Sequence, residues 1–377
     1  MIPYGKQSID QDDIEAVILA LKSDFLTTGP LVNKFENAMA TYVGSAHAVA
    51  VSSGTAALHC AMYALKIGPG DEVIVPPITF AATANSVCFQ GGTPVFVDVE
   101  PDTLLIDPLK IEEKITKKTK AIIGVDYAGQ PCDWDLLKQI TDQHDLALVA
   151  DSCQALGAEY KKNKVGSLAD LTVFSFHPVK HITTGEGGMI TTDNEKLAQR
   201  MRLFRNHGIS TDFRQREQQG SWFYEMTELG YNYRLTDIQS ALGLTQLKKL
   251  SDFLKRRRQI AHQYDTAFRD MNSISPLRNK KNVSHSYHLY VIKIATNIIS
   301  RSLAFSKLRK AGIGVNVHHI PVHLHPFYKK TFGYTKGLCP VAEQEYETIL
   351  SLPMWPGMSN TDIEKSIHEV KNLMTNK

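Results

Sequence analysis

Between two apolar runs, Leu171 to Phe174 and Met189 to Thr191, lies a loop of small and polar residues holding a single lysine. It reads Ser175-Phe176-His177-Pro178-Val179-Lys180-His181-Ile182-Thr183-Thr184-Gly185-Glu186-Gly187-Gly188. The flanking runs have the character of buried strands. An ammonium beside such strands is costly to bury as a charge. Lys180 is therefore a candidate neutral amine nucleophile, able to form an imine. A solvated lysine in an ordinary connection fits this stretch equally well. The glycines and threonines after it let backbone approach a planar ligand.

Three other places carry candidate chemistry. Ser52-Ser53-Gly54-Thr55-Ala56-Ala57 joins a strand to a helix, where backbone N–H groups and the helix dipole can hold a phosphate. A serine N-cap is the commoner reading of the same residues. Asp151 ends the apolar run Leu146 to Ala150, and a carboxylate there needs a cation or a donor; it also reads as a cap for a following helix. Gln154 stands three residues on and can offer an amide to the same ligand. Phe80 follows Pro76-Pro77-Ile78-Thr79 and can lie flat on an aromatic ring, or fill a core. Together the pieces answer the needs of pyridoxal 5'-phosphate: a phosphate grip, a face contact, an acid to keep the ring nitrogen protonated, and a lysine.

The elements that must position these residues alternate. Strands are expected at His47–Ser52, Glu72–Val75, Pro94–Val97, Ala121–Val125 and Ala147–Ala150, with helices at Gly54–Leu65, Phe80–Phe89, Asp133–Gln143 and Asn194–Phe204. Short apolar strands alternating with helices mean an α/β fold with a mainly parallel sheet covered on both faces. Ligands of such sheets bind beyond the C-terminal strand ends. A long helical pattern, Thr236–Tyr264, leads to a smaller α+β part. Its expected elements are strands at Tyr287–Ile294 and Gly314–His318 and helices at Arg301–Lys310 and Asn360–Met374. Arg256-Arg257-Arg258 reads as a solvated helix face.

The 377 residues are 43% hydrophobic and 21% charged, with net charge +3. Nothing there calls for nucleic acid or a membrane surface as partner. The five cysteines are odd in number and lack a C-x-x-C pair, which argues for a reducing compartment without a zinc site. No signal-peptide pattern or membrane-length apolar run is present, and a cytoplasmic protein is expected. His318, His319, His323 and His325 alternate with prolines and form no metal-ligand framework. No G-x-G-x-x-G follows the first strand, which disfavours a nicotinamide-dependent dehydrogenase.

Five blocks give the chain a wider resemblance: Thr27-Thr28-Gly29-Pro30, Ser53 to Ala57, Asp151 to Ala158, Ser175 to Lys180, and Gly230-Tyr231-Asn232-Tyr233-Arg234-Leu235-Thr236-Asp237-Ile238-Gln239. Over nearly its full length the chain resembles the fold-type-I pyridoxal-phosphate aminotransferases of nucleotide-linked keto-sugars, the DegT/DnrJ/EryC/StrS family. The resemblance implies an aspartate-aminotransferase-like fold: a large domain (1–245) with a mainly parallel seven-stranded sheet, and a small α+β C-terminal domain (246–377). It implies catalytic Lys180 and Asp151. The cofactor would meet Gly54, Thr55, Phe80, Asp151, Gln154, Ser175, Lys180 and Asn232, with Asn232 reaching across a homodimer to the partner's cofactor phosphate.

Val125-Asp126-Tyr127-Ala128-Gly129-Gln130-Pro131, His181 to Met189 and Asn316-Val317-His318-His319 resemble the pseudaminic-acid branch. That branch implies a UDP-linked 4-keto-6-deoxy sugar as acceptor and L-glutamate as amino donor. The sugar nucleotide would meet Tyr4, Asp24, Phe25, Leu26, Thr27, Gly54, Ser175, Asn232, Asn316, Val317, His318 and His319. A tyrosine is expected where His319 stands. Alternatives are amination of another UDP- or dTDP-linked keto-sugar, a cofactor-dependent sugar dehydratase, and a non-catalytic regulator on the same fold. The retained lysine argues against the last two.

Overall fold

A computed structural model describes residues 1–211, 213–218 and 220–375. The alternation read from the sequence folds into one sheet. Its strands are β1 (His47–Val51), β2 (Glu72–Val75), β3 (Thr93–Phe96), β4 (Thr119–Val125) and β5 (Ala147–Asp151). A hairpin of β6 (Glu159–Tyr160) and β7 (Asn163–Lys164) then leads to β8 (Leu171–Ser175) and β9 (Gly188–Thr192). The seven-stranded order is β1-β9-β8-β5-β4-β2-β3. Only β9 runs against its neighbours. This is the expected aspartate-aminotransferase-like architecture.

Both faces of the sheet are covered, which is why its strands are almost wholly apolar. The helix Gly54–Ala64 packs on one face with Leu58, Ala61 and Met62 buried. On the other, Phe35 and Met39 of the helix Pro30–Val43 meet Phe174 and Phe176, with Leu250 and Leu254 of the helix Asp237–Phe268. A second, antiparallel sheet holds β10 (Ile274–Pro276), β12 (Tyr290–Ile294) and β13 (Ile349–Leu352), in the order β10-β12-β13. The two-residue strand β11 (Val283–Ser284) pairs with β6. The helix Asp237–Phe268 spans from one core to the other, contributing Ile260, Tyr264 and Phe268 to the C-terminal cluster.

Three expectations are corrected. Gly314–His318 is not a strand. Gly314 donates its N–H to Ile2 O, and Asn316 exchanges two backbone bonds with Ser351, so the segment's polar groups divide between the N-terminal arm and β13. The expected strand from Tyr287 begins at Tyr290, because Tyr287 has a positive φ of 50°. The arginine run is not a solvated face. Arg257 is fully buried, its guanidinium bonded to the carbonyls of Tyr287, His288 and Met354. Helical periodicity turns one member of a three-residue run inward, and burial lowers its pKa to about 10. Replacing Arg257 by Met strips three carbonyls of their donor, and the denaturation midpoint of the holoenzyme should fall by an amount equivalent to about 3 kcal/mol. A variant melting with the wild type would show those carbonyls find other donors.

Candidate active site

Parallel register aligns the C-terminal strand ends. Val125 pairs with Asp151, and Asp151 with Val173. A cleft of ≈ 540 Å³ opens over these ends, where an α/β sheet presents its ligand site.

Asp151 is buried in the cleft floor. One carboxylate oxygen accepts from the Thr83 hydroxyl at 2.6 Å, the other from the Cys153 N–H at 3.3 Å. The Thr79 hydroxyl lies 2.7 Å from that of Thr83. A turn, not a helix, follows Asp151, which removes the cap reading. Beside it, Asp126 accepts from the Cys132 N–H at 2.8 Å and the Ser152 hydroxyl at 2.6 Å, and burial pushes its carboxyl up to about 7.

Lys180 sits in a turn closed by its N–H on His177 O at 2.9 Å. Burial lowers its pKa, against the opposing influence of the Cys153 thiol and the Asp151 carboxylate. That moves it toward the neutral amine a nucleophile needs.

At the start of the helix Gly54–Ala64, the Ser53 hydroxyl accepts from Ala56 N–H at 3.0 Å. Ser53 is thus the cap, and the first helical N–H groups, of Gly54 and Thr55, keep no intrahelical partner. A Cβ on Gly54 would stand 2.9 Å from Ser175 Cβ and 3.1 Å from Cys153 Sγ, so only glycine lets these segments meet. Gln154 accepts from Ala128 N–H through its side-chain oxygen at 2.7 Å, leaving its amide nitrogen for the cleft. Phe80 is not a core residue: it is 62% exposed at the cleft, ahead of a helix that begins only at Ala82.

The opposite wall carries Tyr4 and Asn316 to His319. His318 is held by the Ser351 hydroxyl at 2.8 Å and the Asn316 amide at 3.2 Å, and its carbonyl accepts from Tyr127. His319 Nε2 is buried without a partner.

The cleft therefore gathers Tyr4, Gly54, Thr55, Phe80, Asp151, Gln154, Ser175, Lys180 and Asn316 to His319. Asp24, Phe25, Leu26, Thr27 and Asn232 do not line it. Leu26 and Thr27 meet the other end of the chain: Leu26 O accepts from Asp237 N–H, and Thr27 bridges Thr236. The Asp237 carboxylate takes the N–H groups of Gly29 and Leu31 at 2.7 and 2.9 Å. Asn232 bridges Asn206 on an exposed ribbon.

Sequence reasoning missed Thr83 and His288. Thr83 had one signal, its position four residues after Thr79 at a helix start. His288 lies in a run of aromatics and histidines that reads as β-strand. It lines the cleft with Nδ1 buried and unpartnered, and burial holds its pKa well below the usual value. Among the described residues no cluster of three or more His, Cys, Asp or Glu side chains is arranged to hold a metal, and His323 instead bonds Glu343 at 2.8 Å. No helix among them is long and apolar enough to cross a membrane.

An amine, a buried carboxylate, free helix-terminal N–H groups beside a serine, and an exposed aromatic ring on one cleft fit pyridoxal phosphate. Residues 7–371 match the DegT/DnrJ/EryC1/StrS aminotransferase family. The spore coat polysaccharide biosynthesis protein SpsC of Bacillus subtilis is 42% identical, covering 99% of this chain and 97% of its own. PseC of Helicobacter pylori, an aminotransferase involved in the biosynthesis of pseudoaminic acid, superposes with a TM-score of 0.93 at 34% identity over 100% of both chains. The PLP form of Spr1654 of Streptococcus pneumoniae superposes equally well, at 0.93 and 34% identity, covering 99% of this chain and 98% of that one.

Proposed function

The chain belongs to the DegT/DnrJ/EryC1/StrS aminotransferase family, and from that premise we propose which sugar it aminates and which residues do the work. It is a pyridoxal-phosphate-dependent sugar aminotransferase. The proposed acceptor is a UDP-linked 2-acetamido-2,6-dideoxy-4-keto sugar and the proposed donor L-glutamate, as in pseudaminic acid biosynthesis. The observation carrying this reading is that Lys180, the buried Asp151 carboxylate and a free helix N-terminus line one cleft. The likeness to PseC supports the choice of sugar.

Bound pyridoxal phosphate supplies an aldehyde that condenses with amines and a ring that accepts electrons from the adjoining carbon. Gly54 and Thr55 N–H groups, with the Ser175 hydroxyl, would hold its phosphate. Asp151, fixed by Thr83, would hold a proton at the ring nitrogen. Phe80 would cover the ring, and Gln154 would orient it. Lys180 would take the proton from Cα of the donor, carry it at Nζ, and serve the acceptor's carbon in the reverse direction. Tyr4 and Asn316 to His319 contact the sugar nucleotide. The chain is divided at residue 245 in this reading. The test is to incubate the holoenzyme with L-glutamate and UDP- or dTDP-linked 4-keto sugars and identify the aminated product. Faster amination of the dTDP sugar would overturn the nucleotide assignment.

The proposed assembly is a homodimer with shared sites, Asn232 serving the partner's cofactor phosphate. Asn232 lies outside its own cleft, on a ribbon whose neighbours Met226 and Leu229 are 65% and 75% exposed. Apolar groups so placed suit an interface. Lys180→Ala and Asn232→Ala chains, each poorly active alone, should recover roughly a quarter of wild-type activity when mixed, since half the dimers are hybrids with one intact site. Verified subunit exchange without recovery would overturn the trans role.

A further inference from the structure

A second, much smaller cavity touches Lys180. It offers about 10 Å³ to the centre of a water-sized molecule and shares only Lys180 with the walls of the large cleft. Its walls include His181, Thr183, Gln246 and residues 6–8 of the N-terminal arm.

His181 is 2% exposed. Its Nε2 lies 3.2 Å from the carbonyl oxygen of Ser286. A carbonyl only accepts, so Nε2 carries the ring proton and Nδ1 presents a lone pair. That Nδ1 is buried and has no partner. Two of the polar neighbours, Gln246 and Thr183, are spent elsewhere. Gln246 donates to Ser8 O at 2.9 Å and to Asp13 at 2.8 Å. The Thr183 hydroxyl donates to Phe176 O at 2.9 Å. A buried acceptor beside a polar space of one water's size is what a structural water satisfies.

We propose that one water occupies this cavity, donating to His181 Nδ1 and accepting from Lys180 Nζ, so that His181 is a positioning residue for the lysine. The proposal rests on the reading of Lys180 as the amine that moves the substrate proton. Bound cofactor and donor would fill the large cleft beside the lysine, leaving the small cavity as the place where its protons exchange with solvent. In that exchange one proton passes from the ammonium to the water and one returns, with no net change of charge.

Two measurements test it. A crystal structure of the holoenzyme that shows ordered waters should have density for one water within hydrogen-bond distance of His181 Nδ1 and Lys180 Nζ. A dry cavity, or a protein donor on Nδ1, overturns the proposal. The second uses L-glutamate and 2-oxoglutarate at equilibrium in D₂O, comparing deuterium uptake at Cα with carbon exchange between the two. Wild type should take up deuterium at nearly every exchange. His181→Phe keeps the ring volume and loses the acceptor. A full exchange needs two transfers, and in each the substrate's own proton is one of three on the ammonium, so this variant should return that proton in up to about a ninth of exchanges. His181→Gln, which keeps an acceptor, should follow wild type. This ratio does not depend on the fraction of active enzyme. An unchanged ratio in His181→Phe overturns the relay. Wild type that exchanges nothing with L-glutamate counts against the donor proposed above, and the density still decides the water.

Discussion

Lys180→Ala should lose at least about 10⁴-fold in kcat, because it removes the residue proposed as both covalent anchor and proton carrier. It should still bind pyridoxal phosphate. The helix N-terminus at Gly54 and Thr55, the Ser175 hydroxyl and the Asp151 carboxylate do not depend on the lysine for their placement. Asp151 is held by Thr83 and Cys153, and Ser53 caps the helix through Ala56. Two measurements separate the roles. Turnover should vanish while cofactor absorbance persists after gel filtration. Borohydride reduction of the wild type should fix the cofactor's mass to the peptide containing Lys180. Label on another lysine would remove Lys180 from its role.

The second large effect is at Asp151. Asn at this position can still accept from Thr83 and gives up only the longer bond from the Cys153 N–H, at 3.3 Å, so the fold should hold. Its neutral amide cannot keep a ring nitrogen protonated. The half-reaction with L-glutamate should slow about 10²–10³-fold, the scale of losing one preorganised electrostatic partner. Single-turnover absorbance measures it without the sugar. A wild-type rate would make Asp151 a structural carboxylate only.

The strands and the lysine loop were legible because their signals are local. Apolar runs such as Leu171 to Phe174 declare themselves by composition, and the N-cap reading of Ser53 needed only its neighbours. Asp151 was legible as a carboxylate at a strand end, but its partner was not. Thr83 reaches it from a helix whose sequence, Ala82 to Phe89, carries little amphipathic pattern. Arg257 misled because three adjacent arginines look alike in a sequence, whereas a helix gives each a different direction. Gly314 to His318 misled because its bonding partners, the arm at Ile2 and strand β13, lie far away along the chain. Asn232 and Asp24 to Thr27 lie outside the cleft of their own chain. The trans role proposed for Asn232 rests on a second copy of the chain, which no local signal in the sequence declares.

The N-terminal arm has a consequence for biosynthesis. Ile2 donates to Gly312 O and accepts from Gly314 N–H, Tyr4 O accepts from Met354 N–H, and Tyr4 forms part of the cleft wall. On the ribosome, residues 2–4 emerge some three hundred residues before their partners at 312–354 are translated. The sheet through β9 can assemble while the arm is still loose, since domains fold as they emerge. The wall with Tyr4 and His318 closes only after residue 354 is available. The nascent chain thus acquires a hydrophobic core long before it acquires a complete pocket.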